Sequence, residues 1–247
     1  MSDRVEQITD WDDAYANVAH IPGGEGFAPR WEGEAEVFRA AHPPEAVGRG
    51  ELYLPAGTPR GLAVFIHGGY WLRFGPRWFS HHAGGALARG WAVLLPGYPL
   101  APEAGLRQMR DAVAAQIDAA AARVAGPISL SGHSAGGHLA ARMICDDSPL
   151  RSLDRVARCL PISGLFDLRP LQRTAMAGDL GLDDATAAAE SPLFHAPAAH
   201  VDLQVWVGAD ERPVFVRQSR LIADAWAGMP RTTRLTVEPG RHHMDVI

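Results

Sequence analysis

A serine between glycines is the first candidate for chemistry in this sequence. The pentad Gly-His-Ser-Ala-Gly places Ser134 after an apolar run, residues 128–131, and before a segment in which Leu139 and Met143 recur at helical spacing. A strand, a tight turn and a helix in that order lift a serine hydroxyl above the edge of a sheet, and small neighbours let the strained turn close. We predict that Ser134 is a nucleophile; the alternative is a glycine-rich turn with an exposed serine.

Two glycines after an earlier apolar run could supply backbone amides to the same reaction. Residues 62–67 lead into Gly68 and Gly69, where the missing side chains let N–H groups approach a substrate oxygen. Together with the amide of Ala135 they would form an oxyanion hole. We expect His67 to hold this loop in place rather than to titrate. A glycine turn that merely ends a strand is the alternative.

Two adjacent carboxylates, Asp210 and Glu211, follow the apolar run of residues 203–207. Either could orient a catalytic histidine. Glu211 lies three residues after Gly208, a spacing found in many serine hydrolases, and this favours it. Aspartate is the commoner residue type in this role, so Asp210 stays open. If both were solvated loop charges, the set would lack an acid.

The base is expected in the loop after the last apolar run, residues 233–237, where His242 and His243 are adjacent. A histidine there can accept the serine proton and return it to the leaving group. The order serine, acid, histidine along the chain fits this assignment. The residues themselves leave the choice between the two histidines open. We interpret His133, next to the serine, as a structural residue that points into the sheet.

Two aromatic residues, Tyr70 and Trp71, directly follow the oxyanion glycines. Their rings could stack on an aromatic leaving group such as an anilide, which makes them candidate substrate-binding residues. Ordinary packing in the core is an equally good interpretation.

The surrounding pattern indicates the elements that must position these residues. Short apolar runs alternate with helical segments, which predicts an α/β fold with a mainly parallel central sheet and helices on both faces. The predicted strands are residues 51–54, 62–67, 92–96, 128–131, 157–162, 203–207 and 233–237. The predicted helices include residues 31–41, 105–125 and 213–228.

The first part of the chain does not follow this alternation. A stretch rich in glycine and proline around residues 21–29 precedes the helix predicted at 31–41. We interpret residues 1–50 as an N-terminal arm packed on a single domain of residues 1–247, and a position over the site is one alternative for it.

Composition limits the compartment and the partners. The chain is 47% hydrophobic with a net charge of −5, which argues against nucleic acid and anionic membrane as partners. No apolar run approaches about 18 residues, and the first ten show no secretory signal. Cys145 and Cys159 lack metal-ligand spacing and are expected to be buried thiols, which favours the cytoplasm. A metal site at His81-His82 is not expected, because no carboxylate partners are evident.

Several motifs resemble those of one known family. They lie at residues 67–71, 132–139, 162–168, 211–219 and 242–247. These segments resemble the kynurenine formamidase (arylformamidase) branch of the α/β-hydrolases, and the resemblance runs from about residue 11 to the end. Residues 98–103 also resemble a segment of hormone-sensitive-lipase-like esterases, a neighbouring branch.

The resemblance selects one acid and one base. In this family the acid precedes a Pro-x-Phe segment by two residues, which implies Glu211, and the histidine directly precedes an aromatic residue, which implies His243. Two departures are Met244 in place of that aromatic and a glutamate where animal members carry aspartate. Relatives continue into a closing helix, whereas this chain ends four residues after His243, so we expect a less firmly held base.

The sequence thus predicts a serine hydrolase of the α/β-hydrolase fold that cleaves a small acyl amide or ester. The resemblance implies an arylformamidase acting on an N-formylkynurenine-type substrate. A general short-chain carboxylesterase or thioesterase is the first alternative, and a non-catalytic binding module is the second. No cofactor or metal is implied. The expected partner is a small acyl substrate, and association as a homodimer stays open.

Overall fold

In the computed structural model, which describes residues 7–247, the apolar runs form one eight-stranded sheet in the order β1-β2-β4-β3-β5-β6-β7-β8. Strands β3 to β8 run parallel to one another, whereas β2, near one edge, is antiparallel to both of its neighbours, β1 and β4. The bounds are β1 Glu45–Val47, β2 Gly50–Tyr53, β3 Leu62–Ile66, β4 Ala92–Leu95, β5 Ile128–His133, β6 Val156–Ile162, β7 Asp202–Gly208 and β8 Thr232–Glu238. Residues 1–6 lie outside the described residues. They include the start of the predicted arm and most of the ten residues in which no secretory signal was found.

Eight α-helices accompany these strands in the described part of the chain. They are α1 Trp11–Tyr15, α2 Phe27–Ala41, α3 Gly84–Leu87, α4 Leu106–Ala121, α5 Ala135–Arg142, α6 Ala177–Leu180, α7 Asp184–Glu190 and α8 Pro213–Ala225. The predicted helix at 105–125 is four residues shorter at its end, and the one predicted at 31–41 begins at Phe27. Within residues 7–247, no helix combines the length and the apolar character needed to cross a bilayer.

Side chains that alternate along β3 bury both faces of the sheet. Leu62, Val64 and Ile66 point into the larger core, which includes apolar residues of α4, α5 and α8. The intervening Ala63 and Phe65 pack against a smaller core on the opposite face, which contains residues of α2. The predicted α/β fold with helices on both faces is therefore confirmed.

The strand pattern shows one difference from the sequence prediction. The seven predicted strands correspond to β2–β8 with ends shifted by one or two residues, but β1 was not predicted. It is only three residues long and two of them are exposed, so it has no apolar run. Antiparallel pairing with β2, from Glu45↔Leu52 to Val47↔Gly50, defines it instead.

Candidate active site

The turn between β5 and α5 holds Ser134 in a conformation that serine rarely adopts, with φ 56° and ψ −119°. Its amide donates to the carbonyl oxygen of Ile162 at 2.9 Å, which ties the turn to β6. A Cβ on Gly132 would lie 2.1 Å from the carbonyl oxygen of Gly136. A Cβ on Gly136 would lie 2.0 Å from the carbonyl oxygen of Ile66. Both flanking glycines are thus required because backbone passes where a side chain would be.

The amides proposed for the oxyanion hole lie beside this turn. A Cβ on Gly68 would lie 3.0 Å from the Cβ of Ser134, so the glycine backbone is in direct contact with the serine. Gly69 has φ +110°, which favours glycine at that position. Within the described residues, the amides of Gly68, Gly69 and Ala135 donate to no backbone carbonyl. They therefore remain free to donate to a substrate oxygen.

His67 holds the loop that carries these amides. Its Nδ1 donates to the carbonyl oxygen of Gly68 at 2.8 Å, and its ring stacks on Tyr98 with 4.3 Å between centroids. The Tyr98 hydroxyl donates to the carbonyl oxygen of His67 at 2.9 Å. Burial lowers the pKa of His67 to about 4, so the ring stays neutral near pH 7. This arrangement agrees with the holding role expected from the sequence.

Glu211 and His243, the predicted acid and base, form a buried pair. Nδ1 of His243 lies 2.6 Å from Oε2 of Glu211, and both side chains are buried, at 4% and 7% exposure. The second carboxylate oxygen accepts from the Gly208 amide at 2.8 Å and from the Ser163 hydroxyl at 2.5 Å. Because Nδ1 faces the carboxylate, Nε2 is the ring nitrogen that could accept a proton. Asp210 is exposed, so the structure brings Glu211 and not Asp210 to the histidine.

His133 links the base to the nucleophile turn. Its Nε2 donates to the carbonyl oxygen of His243 at 2.8 Å, and the two rings lie 4.6 Å apart. Burial lowers the pKa of His133 well below its ordinary value, which keeps the ring neutral. The residue is buried, as expected of a structural residue, but its partner is the histidine loop. The His243 backbone is thereby tied to the residue that directly precedes Ser134.

Contacts from α2 fix the rest of the histidine loop. Met244 packs with Trp31 and Phe79 in the smaller core. The ring of His242 faces the edge of Phe27 at 5.3 Å and its Nδ1 lies 3.1 Å from Asp245, so this histidine is engaged away from Glu211. An N-terminal helix thus packs against the loop of His243, a support that the sequence did not indicate.

The two aromatic candidates for substrate binding differ in their surroundings. Trp71 is fully buried at 0% exposure and lies edge-on to His138 at 5.1 Å. Stacking on a leaving group is not open to it in this structure, and packing in the core is the interpretation that fits. Tyr70 is only partly buried, and its hydroxyl hydrogen-bonds to the N-terminal arm.

Reasoning from residue types missed two members of the site. Ser163 donates to Glu211 and Phe215 packs its ring 4.5 Å from the ring of His243. Both belong to segments that were singled out only through the family resemblance, residues 162–168 and 211–219. A serine in a loop and a phenylalanine on a helix carry no other signal in a single sequence.

The histidine pair outside this site has one carboxylate neighbour that the sequence did not indicate. Nε2 of His81 lies 3.5 Å from Glu34 of α2. His82 packs against Phe65 at 5.0 Å, and its Nε2 is buried without a hydrogen-bond partner in the described residues. Burial lowers the pKa of His82 to about 3.

The sequence also matches a model of a known protein family. The model describes the alpha/beta hydrolase family and matches residues 63–245, a range that includes Ser134, Glu211 and His243. This chain belongs to the α/β-hydrolase family.

This α/β-hydrolase is similar to curated proteins and to solved structures. Kynurenine formamidase of Salmo salar is 28% identical over 228 residues, which cover 83% of this chain and 74% of that protein. A solved structure of a candidate thioesterase from Silicibacter sp. TM1040 is 40% identical, with a TM-score of 0.89 and coverage of 96% and 93%. Esterase 2 of Thermogutta terrifontis is 21% identical with a TM-score of 0.66 and coverage of 82% and 84%, a likeness of fold alone.

Proposed function

We propose that this α/β-hydrolase is a serine hydrolase that cleaves a small acyl amide or ester through an acyl-enzyme on Ser134. The observation that carries the proposal is the 2.6 Å contact between Glu211 and His243, whose backbone carbonyl hydrogen-bonds to His133, the residue before the serine. A strained serine, a buried acid and a histidine base, in that order along the chain, are the set that α/β-hydrolases use for acyl transfer.

The residues have distinct roles in the proposed reaction. Ser134 Oγ attacks the substrate carbonyl while Nε2 of His243 takes its proton, and the imidazolium that forms is stabilised by Glu211. The amides of Gly68, Gly69 and Ala135 hold the tetrahedral oxyanion. His243 then protonates the leaving amine or alcohol, and a water, activated by the same histidine, releases the acid from Ser134.

The proposed substrate is an aryl formamide of the N-formylkynurenine type. The support comes from relatives named kynurenine formamidase, which are 26–28% identical to this chain, and from the shared motifs around the site. A thioester or simple ester is the second candidate, because the 40% identical structure is that of a candidate thioesterase. The acyl-enzyme is common to both, so the leaving group is what distinguishes them.

Turnover measurements on three substrates separate these candidates. The wild-type protein is assayed with N-formylkynurenine, p-nitrophenyl acetate and an acetyl thioester of coenzyme A, with Ser134→Ala as the control for each. We expect the highest kcat/KM for the formamide and none of the three activities in the control. Rapid hydrolysis of the ester or thioester with no formamide turnover would contradict the formamidase assignment and leave the serine mechanism in place.

A further inference from the structure

The N-terminal arm holds the residue that follows the oxyanion glycines. The Tyr70 hydroxyl donates to the carbonyl oxygen of Tyr15 and accepts from Nδ2 of Asn17 at 3.3 Å. Asn17 is only 6% exposed, so this contact is shielded from water. Burial raises the pKa of Tyr70, which keeps its hydroxyl protonated as a donor. The arm and the loop are thus joined through one phenol group.

The loop of residues 68–71 needs the hydrogen bonds to Tyr70 because its backbone is strained. Gly69, Tyr70 and Trp71 have φ values of 110°, 53° and 59°, and L-residues rarely adopt this left-handed region. The carbonyl of Trp71 accepts from the Ala101 amide at 2.9 Å, and its buried indole fixes that end. Within the described residues, the contacts of the Tyr70 hydroxyl lie with Tyr15 and Asn17 of the arm.

Tyr15 contacts residues next to the oxyanion glycines and next to His243. Its carbonyl oxygen accepts a hydrogen bond from the Tyr70 hydroxyl, while its ring lies edge-on to Phe215 at 6.0 Å. Phe215 in turn packs 4.5 Å from the ring of His243. The arm itself is fastened by Asp13, whose carboxylate accepts from Arg212 at 2.6 Å. A displacement of this short segment would therefore move both the loop of residues 68–71 and the surroundings of His243.

We propose that Tyr70 is a positioning residue whose hydroxyl, held by Tyr15 and Asn17, fixes the Gly68 and Gly69 amides where the oxyanion forms. This inference rests on the proposed serine hydrolase function. Donors that are already aimed at the developing charge need no reorganisation during the reaction, so small displacements of the loop cost rate rather than substrate affinity.

The test compares Tyr70→Phe with Tyr53→Phe, a matched loss of a buried tyrosine hydroxyl. Tyr53 donates to Glu51 at 2.7 Å and lies in the smaller core, on β2. We expect Tyr70→Phe to lower kcat by about 10- to 100-fold with KM within about twofold, and Tyr53→Phe to retain kcat. Inhibition by a boronic acid, which mimics the tetrahedral oxyanion, should weaken in parallel with kcat/KM in Tyr70→Phe. Inhibition by the product acid should not change.

A second variant covers the case in which Tyr70→Phe does not fold. Asn17→Ala removes one hydrogen bond to the same hydroxyl and should lower kcat by about threefold to tenfold with the same pattern of inhibition. Wild-type kcat and boronate affinity in both folded variants overturn the proposal, as does an equal loss in Tyr53→Phe or a change confined to KM. Absence of Ser134-dependent turnover in the wild type overturns the proposed function itself, and this inference with it.

Discussion

The two carboxylate oxygens of Glu211 have different hydrogen-bond partners. One oxygen faces Nδ1 of His243, and the other accepts from the Gly208 amide and the Ser163 hydroxyl. The second set of contacts fixes the plane of the carboxylate, and the first then fixes the ring orientation and the tautomer of the histidine. Nε2 of His243 therefore lies on the side of the ring away from Glu211, as the proposed role of a base requires.

Exchange of the carboxylate for an amide tests this division at the scale of single residues. Glu211→Gln keeps the shape but can donate to Nδ1, which favours the wrong tautomer, so kcat should fall by about 10³- to 10⁴-fold. The matched control is Asp210→Asn, an exposed neighbour that should stay within about twofold of wild type. Steady-state kinetics on the best substrate check both, and a large loss confined to Asp210→Asn would reverse the assignment.

Single residues of the site could be predicted from the sequence as far as their types allowed. The nucleophile, the oxyanion glycines and the adjacent acid and base candidates all follow from position after apolar runs. For the acid, the spacing from Gly208 favoured Glu211 and the family resemblance selected it. Residue type left Asp210 open, because the two carboxylates are adjacent. The fold shows the physical reason for Glu211: the Gly208 amide donates to its carboxylate and closes a turn that directs it toward His243.

At the scale of elements, the packing of α5 against β3 explains the glycines of the nucleophile turn. Backbone of β3 and of the turn approaches so closely that a Cβ on Gly136 would meet the carbonyl oxygens of Ile66 and His67 at 2.0 and 2.6 Å. The motif is therefore a packing requirement between a helix and a strand, in addition to a local turn.

Two glycine substitutions in helices should have opposite effects on stability. Gly136→Ala in α5 must push the helix from β3, so we expect a lower free energy of unfolding by several kcal/mol, on the order of an overpacked core site. Gly33→Ala in α2 meets nothing within 4 Å and should stabilise by about 0.5–1 kcal/mol. Chemical denaturation of both variants measures the difference. Equal stability of the two variants would contradict the described approach of α5 to β3.

Elements were predicted well where their apolar pattern was long and poorly where pairing defines them. The central strands appear in the sequence as runs of Val, Ile and Leu because both faces are buried. Strand β1 was missed because antiparallel pairing with β2 defines it. The sequence could not decide whether Trp71 stacks on a substrate or packs in the core. Its complete burial depends on elements that are distant in the sequence.

At the scale of the whole molecule, three buried or partly buried histidines connect stability to pH. Burial lowers the pKa of His67 to about 4 and those of His82 and His138 to about 3, from an ordinary value of 6.5. Between these values the unfolded chain binds more protons than the folded one. Burial of these histidines in the neutral form therefore contributes its full share of the free energy of unfolding above pH 6.5. That share is lost as the pH falls from 6.5 toward their pKa values of about 3 to 4.

Removal of one such histidine should flatten the pH dependence of unfolding. His82→Leu retains an apolar side chain against Phe65 and removes one titrating group. Each proton difference contributes a slope of about 1.4 kcal/mol per pH unit, so the variant should lose up to that much slope between pH 4 and 6. Urea denaturation across this range measures it, and the same comparison above pH 7 is the control. An unchanged slope would contradict neutral burial of His82.

The N-terminal arm shows where prediction from the sequence ends. Its contacts join residues about fifty positions apart, such as Asn17 with Tyr70, and no local pattern indicates them. The sequence predicted an arm, with a position over the site as one alternative. It did not indicate which residues of α1 and beyond contact the loop of residues 68–71, nor that α2 packs against the loop of His243. These contacts arise from the whole fold and place part of the site's support outside residues 63–245, the range of the family match.

Labelling with a fluorophosphonate is the most direct measurement of the central claim, an activated Ser134. The reagent phosphonylates a serine only where a base removes its proton and an oxyanion hole holds the P–O⁻ oxygen. Intact mass spectrometry should show one adduct per chain, and peptide mapping should locate it on Ser134. Ser134→Ala should not react, and Glu211→Gln should react far more slowly. No adduct in the wild type, or an adduct that persists in Ser134→Ala, would contradict the account.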